Sequence, residues 1–507
     1  MNKSLFNTKT PSVKNEAGGV AFSLSNKEAL TQLVVTGTFQ NTFYAGGEDQ
    51  LNKMLDIAEK VDPVFVAKLA VYGRKHGFMK DAPAVLTALL SKVDVDLFKK
   101  VFPLVIDNGN MLRKFISAMR SGVVGRKSLG SAAKKQVQKL LNTKGAEWLF
   151  RNSIGNDPSM ADIIKMVHPK GTTKEINEMF KYLLGRDFDM LLMPDIVVDF
   201  EKFKKDATGN PPAVDFRLLS NIKMSKDQWV YLASHMNWHT LRMNLNTIAR
   251  NGALVEAEAE IAKTLSDPES IKYAKVFPYQ IYNTIKNTDG LPNAISVALN
   301  SALETSLQNT PQLSGKTLVA LDVSGSMFTP VTGYNGSVST KVSCYDAAML
   351  FAAAITHRND QSRVVQFNSS ARYVDFKDKS LNGVMKKLLE NTGGGTEVAS
   401  VMAAVGSEHY DNIVIISDNQ SWAQSQGENA FHRALKQYRK NVNSRVKVAL
   451  WDIQPYTSTP ATSGEFVLNV GGYSDSVFEV LDGFFNERDT SSLIQKIESL
   501  QLSATES

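Results

Sequence analysis

The sequence predicts two parts in series: an all-α helical-repeat array, then a doubly wound α/β domain. Two observations carry this. From about residue 26 to 300, apolar side chains recur at helical spacing and are broken only by short stops. Beyond Thr310-Pro311-Gln312-Leu313-Ser314-Gly315 the pattern switches to short apolar runs alternating with helical stretches. The expected domains are an N-terminal arm at 1–25, a helical domain at 26–312 and an α/β domain at 313–507.

The arm is polar, with scattered Lys, Gly and Ser. In the helical part, Leu51, Met54, Leu55 and Ala58 share one helix face, as do Phe65, Leu69 and Tyr72. Gly73, Asn108-Gly109, Ser121-Gly122, Lys170-Gly171 and Asn251-Gly252 separate segments of helical length. Many helices on short turns predict antiparallel stacking, with no exact repeat period. In the α/β part, strands are expected at 317–322, 363–367, 413–418 and 446–452. Helices are expected between them at 342–357, 381–390, 398–409 and 430–442. Such alternation gives a parallel sheet, so Asp322 and Asp418 fall on one edge, where these folds place ligands.

Apolar content of 43% and charged content of 21% describe a globular chain. The N-terminus carries no hydrophobic leader, and no apolar run approaches the roughly 20 residues that span a bilayer. Cys344 is the single cysteine, so no internal disulfide forms. These features exclude a disulfide-built secreted scaffold and predict a cytoplasmic protein. The net charge of +6 is unevenly placed. Between Leu112 and Lys170 stand Arg113, Lys114, Arg120, Arg126, Lys127, Lys134, Lys135, Lys139, Lys144, Arg151, Lys165 and Lys170. Only Glu147, Asp157 and Asp162 oppose them, so the rest of the chain is slightly acidic. A local basic patch in a near-neutral protein suits a polyanion, against the plainer alternative of a solvated helix surface. Trp148, Phe150 and His168 lie among these charges as candidates for stacking on unpaired bases.

The run Leu318-Val319-Ala320-Leu321-Asp322-Val323-Ser324-Gly325-Ser326 pushes a buried strand up to a carboxylate followed by two alternate hydroxyls. Gly393-Gly394-Gly395-Thr396 adds a hydroxyl on a flexible loop, and Ile413-Val414-Ile415-Ile416-Ser417-Asp418 is a second strand ending in Asp. Anionic and hydroxyl oxygens together are hard-cation chemistry, suited to Mg²⁺. The five positions Asp322, Ser324, Ser326, Thr396 and Asp418 resemble the metal-ion-dependent adhesion site of von Willebrand factor A domains. In this reading Asp418 stands partly behind the inner ligands, orienting a water or a serine. One coordination position is left for a partner's carboxylate.

Competing motifs are weaker. Ser314-Gly315-Lys316-Thr317 looks like the end of a Walker loop, but Thr310 stands where that loop needs Gly, and Lys316 opens a strand. His235 and His239 sit at the spacing of zinc proteases, but Met236 replaces the Glu base. Cys344 reads as apolar filler. A phosphatase of the haloacid dehalogenase type would need an acid where Ser324 stands.

The helical half resembles the TROVE domain of the Ro ribonucleoprotein family. The likeness lies in Gly125-Arg126-Lys127-Ser128-Leu129 with Lys134-Lys135, in Asp162–Lys170 around His168, in Met236–Leu245 and in Ile271–Pro278. Asn237 replaces the family's Pro, and Met243 displaces its Arg-Asn register. The resemblance implies a HEAT-like ring followed by a von Willebrand A domain, and RNA binding without catalysis. It implies small structured noncoding, Y-like RNA on an outer basic face and single-stranded ends of misfolded RNA in a central hole. The RNA-contacting residues are then expected among Arg120, Arg126, Lys127, Lys134, Lys135, Lys139, Arg151, His168 and Lys170. The stretch 152–161 lacks the further basic residue that the family pattern leads one to expect there. A protein partner, for example an exoribonuclease, is expected at the metal site of a monomer with no membrane contact. The alternative is a protein-interaction scaffold within a larger ribonucleoprotein.

Overall fold

The structure, a computed structural model, describes residues 13–14, 20–35, 47–77, 79–274, 276, 278–331, 341–378, 380–390, 392–418, 430–454, 458–459, 466–473, 476–486 and 493–502. Most of the N-terminal arm lies outside them. The described residues of 61–264, 292–295 and 499–507 pack as one compact unit. Those of 1–60, 265–291 and 296–498 pack as another. The fold class changes near residue 313, whereas this packing division also gathers the described residues of 26–60, 265–291 and 296–312 with the sheet.

The first unit is helical. Its helices start where side chains satisfy the free N–H groups of a first turn. Asp62 accepts from Phe65 N at 3.0 Å, Asp94 from Asp96 N and Leu97 N, and Asn108 from Met111 N. Ser159 and Ser225 each complete a reciprocal capping box. Phe98 and Phe102 from the Val95–Val105 helix meet Phe115 of the Gly109–Ser121 helix with ring centroids 5.2–5.9 Å apart. All three rings are buried, and each contributes about 2–3 kcal/mol of apolar transfer.

The second unit holds a six-stranded sheet: β1 (Thr317–Asp322), β2 (Ser362–Phe367), β3 (Ala371–Val374), β4 (Asn412–Ser417), β5 (Lys447–Asp452) and β6 (Val467–Gly471). The spatial order is β3-β2-β1-β4-β5-β6, all parallel except the antiparallel edge strand β3. Four of these strands follow the sequence expectation, and β3 and β6 extend the sheet at its two edges. Every residue of β1 and β4 is buried, as near-continuous apolar runs require in a parallel sheet covered on both faces. Strand order reverses at β1 and β4, so a crevice opens outside their carboxyl ends. The helix after β1 starts at Cys344, because Ser343 caps it by a box with Asp346.

N-terminal segments join this unit. Val20–Ser23 pairs antiparallel with Val13–Lys14 and with Ser458–Thr459. Lys27 pairs with Glu498 at 2.5 Å.

Candidate functional site

At the β1 carboxyl end, Asp322 is fully buried. Its Oδ1 accepts Ser324 N–H at 2.8 Å, and its Oδ2 accepts the Ser417 hydroxyl at 2.6 Å. Burial first, and the neighbouring Asp418 second, push the Asp322 carboxyl up to about 7, against the lowering bonds from Ser417 and Ser324. Ser324 Oγ and Ser326 Oγ stand 3.3 Å apart, across the start of the Gly325–Phe328 turn.

The glycine loop is bonded to this turn. Gly393 N–H donates to Val323 O at 2.7 Å, and Gly325 N–H donates to Gly394 O at 3.1 Å. Asn368 Nδ2 donates to Gly393 O at 2.8 Å. Gly394 has φ +95°, and a Cβ there would stand 3.3 Å from Asn368 Nδ2, so the loop needs glycine. Two residues on, Thr396 Oγ1 is buried without a hydrogen-bond partner among the described residues. Asp418, also buried, follows β4, the strand beside β1.

Among the described residues no three His, Cys, Asp or Glu cluster as metal ligands. The donor set fits a hard cation on two counts. A buried hydroxyl without a partner carries a desolvation penalty that an ion relieves, and two buried neighbouring carboxylates call for positive charge. Three groups near this edge escaped the sequence reading: Ser417, Asn368 and Asp452. Asp452 is buried at the end of β5, in register with Ser417. Of these only Asp452, which ends the apolar run of β5, carried a local signal.

The basic residues lie on the helical unit. Arg120 ends the Gly109–Ser121 helix. Arg126 and Lys127 occupy the following loop, with an Arg126 Nη 3.5 Å from where a Gly130 Cβ would stand. Lys134, Lys135 and Lys139 are exposed on the Gly130–Thr143 helix. Gln138 of that helix donates to Val167 O at 2.6 Å, which brings it beside exposed His168. His168 has φ +51° and closes the Met160–Val167 helix through its N–H to Ile164 O. Lys170 is exposed just beyond. Asp162 is held low first by its Ser159 bonds, then by Lys165 and Arg120. Arg151 pairs with Glu147 at 2.8 Å.

Two expectations are corrected. Phe150 is buried against Tyr182 and Phe200, so it is core and stacks on no base. Arg113, counted among the surface charges, is buried instead. Its guanidinium donates to Asn152 O at 3.1 Å and to Ile154 O. Gly155, at φ +119°, is required there because a Cβ would stand 2.6 Å from Arg113 Nε.

Residues 316–485 match the family model described as the Ro60 vWA domain. RNA-binding protein RO60 of Deinococcus radiodurans is 23% identical over 482 residues, covering 86% of this chain and 88% of that protein. Segment 316–485 is therefore similar to the vWA domain of Ro proteins, and the likeness to this relative runs over most of the chain. RNA-binding protein RO60 of Caenorhabditis elegans is 26% identical over 282 residues, or 50% of this chain and 42% of the relative. The crystal structure of the Deinococcus radiodurans RO (RSR) protein has the same fold. Its TM-score is 0.67 at 19% identity, over 92% of this chain and all of that one.

The remaining motifs of this chain are structural. Lys316 pairs with Glu408 at 2.7 Å, and Ser314 bonds Asn486. His235 ends one helix and His239 lies in the next, because Asn237 caps a new helix between them; they do not share a helical face. Cys344 is buried, and burial followed by Asp418 raises its thiol above the ordinary range, against a nucleophilic role. No helix among the described residues is long and apolar enough to cross a membrane.

Proposed function

We propose that this chain is a Ro-like, non-catalytic RNA-binding protein with an Mg²⁺-dependent protein-docking module. Small structured, Y-like RNA binds the cations of the Gly109–Ser121, Gly130–Thr143 and Met160–Val167 helices. Single-stranded ends of misfolded RNA bind elsewhere on the helical part. RNA is thereby assigned to 26–312 and docking to 313–507.

One observation carries the reading. Of the nine basic residues assigned to RNA, all but half-buried Arg126 are exposed, and among the described residues only Arg151 makes an ion pair. Exposed cations release counterions when they meet phosphates, which drives sequence-independent affinity. The two RO60 relatives are named as RNA-binding proteins, in keeping with this.

At the sheet edge, Asp322, Ser324, Ser326, Thr396 and Asp418 are the residues that would hold the ion. A bound Mg²⁺ would supply a point charge able to attract a partner's carboxylate. The protein holds Ser324 and Ser326 in place through the turn, and Thr396 through the glycine loop. The deciding experiment is purification of the chain followed by extraction and sequencing of bound nucleic acid. Small structured RNA is expected. Absence of RNA, with no salt-sensitive binding to an added RNA hairpin, leaves a protein scaffold instead.

A further inference from the structure

Phe328 lies two residues past Ser326 on the Gly325–Phe328 turn, so one turn presents both a donor hydroxyl and an aromatic ring. The turn is tightly fixed. Thr329 N–H and Oγ1 both donate to Ser326 O, at 3.1 and 2.8 Å, and Cys344 N–H donates to Thr329 O at 2.9 Å. The Phe328 ring stacks on buried Tyr345, with centroids 4.9 Å apart and planes at 28°. Tyr345 is itself anchored. Its hydroxyl donates to Leu388 O and accepts from Gln366 Nε2 at 3.3 Å. Yet Phe328 is 44% exposed, and Leu389, next to the bonded Leu388, is 54% exposed. Single exposed apolar side chains are ordinary. Phe328 differs because its ring is oriented by packing and tied by two peptide units to a candidate metal ligand.

We propose that Phe328 forms the apolar half of a two-part docking site whose other half is the cation. The occupant is a protein segment that presents a carboxylate beside an apolar side chain. This deepens the docking function proposed above and rests on the metal reading. A carboxylate oxygen complements the open position on the ion, and its attraction is strong only where water is shut out. An apolar neighbour laid on the Phe328 ring does that while burying its own surface. Charge near the site favours protein over RNA. After β3 and along the Leu381–Leu388 helix, exposed Lys377, Lys386 and Lys387 are interspersed with exposed Asp375, Asp378 and Glu390 among the described residues. That mixture offers no run of cations for a polynucleotide backbone.

The test uses the full chain, Mn²⁺ binding followed by electron paramagnetic resonance, and calorimetry with the probe acetyl-Gly-Glu-Phe-Gly-amide in Mg²⁺. Control peptides carry Gln for Glu, or Gly for Phe, and oligouridylate serves as the nucleic-acid control. The expected result is peptide binding that EDTA abolishes and that either control peptide loses. Phe328→Ala should weaken the peptide about fivefold, the scale of one aromatic contact, with Mn²⁺ binding unchanged. Phe328→Leu should recover part of the loss. Peptide affinity indifferent to Phe328→Ala, while Mn²⁺ still binds, overturns the apolar half alone. Metal-dependent binding of oligouridylate in place of peptide overturns the choice of partner. Failure of Mn²⁺ to bind the wild-type chain overturns the metal reading together with this one.

Discussion

Thr396→Val should separate the metal site from the fold it sits in. The Thr396 hydroxyl is buried and without a hydrogen-bond partner among the described residues, so the metal-free protein carries its desolvation with no return. A buried, unsatisfied polar group costs about 1–3 kcal/mol. Valine keeps the branched shape and removes the oxygen. In EDTA the variant should therefore be as stable as the parent, or more stable by about 1 kcal/mol. In Mg²⁺ the order should invert. A ligand at a hundred times its Kd stabilises the native state by about 2.7 kcal/mol, and the variant forfeits most of that gain. The assay is thermal unfolding of both proteins in EDTA and across an Mg²⁺ series, read as the ligand-induced shift in Tm. If Thr396→Val destabilises equally in EDTA and in saturating Mg²⁺, the hydroxyl is structural and the reasoning fails.

Other expectations follow from the same contacts. Arg113→Ala should destabilise the helical unit by about 2–4 kcal/mol, because it strips a charged donor from the carbonyls of Asn152 and Ile154. Urea titration measures this, and RNA affinity of the folded variant should be unchanged. Glu408 is held down to about 2, first by its bond from Lys316 and then by Tyr410, Tyr373 and Arg363. A lowered carboxyl stabilises the fold above its ordinary value near 4.5, and that contribution is lost as pH falls toward 2. The stability gap between wild type and Glu408→Gln should hence shrink between pH 5 and 2, as followed by chemical unfolding; a constant gap would refute it. Asp322→Ala should abolish Mn²⁺ binding and leave RNA affinity within about twofold, since the two functions use separate residues.

Much of the candidate metal site was legible because its residues stand at strand ends. A fully buried parallel strand has to read as an apolar run, and the residue that stops the run falls at the ligand edge; Asp322 and Asp418 both announce themselves this way. Thr396 was legible from its glycines, whose conformations the loop demands. Ser417 and Asn368 were not, because their roles arise from pairing between strands far apart in sequence. The short edge strand β3, Ala-Arg-Tyr-Val, and the five-residue β6 carry too little pattern to stand out. Arg113 and Lys114 are indistinguishable in composition, and only packing sends one inward to backbone carbonyls and the other to Asp81. Phe150 misled for the same reason. The break between His235 and His239 was readable in principle, since Asn237 is a strong N-cap residue placed just before an apolar run.

The central claim is that exposed cations of the helical part bind RNA phosphates. Fluorescence anisotropy of a labelled RNA hairpin across a KCl series, for wild type and Lys134→Ala/Lys135→Ala/Lys139→Ala, tests it most directly. Each lost contact to a duplex removes about 0.9 from the slope of log K against log salt. The triple variant should bind more weakly and with a slope shallower by about 2 to 3. Identical affinity and slope in the two proteins would contradict the account.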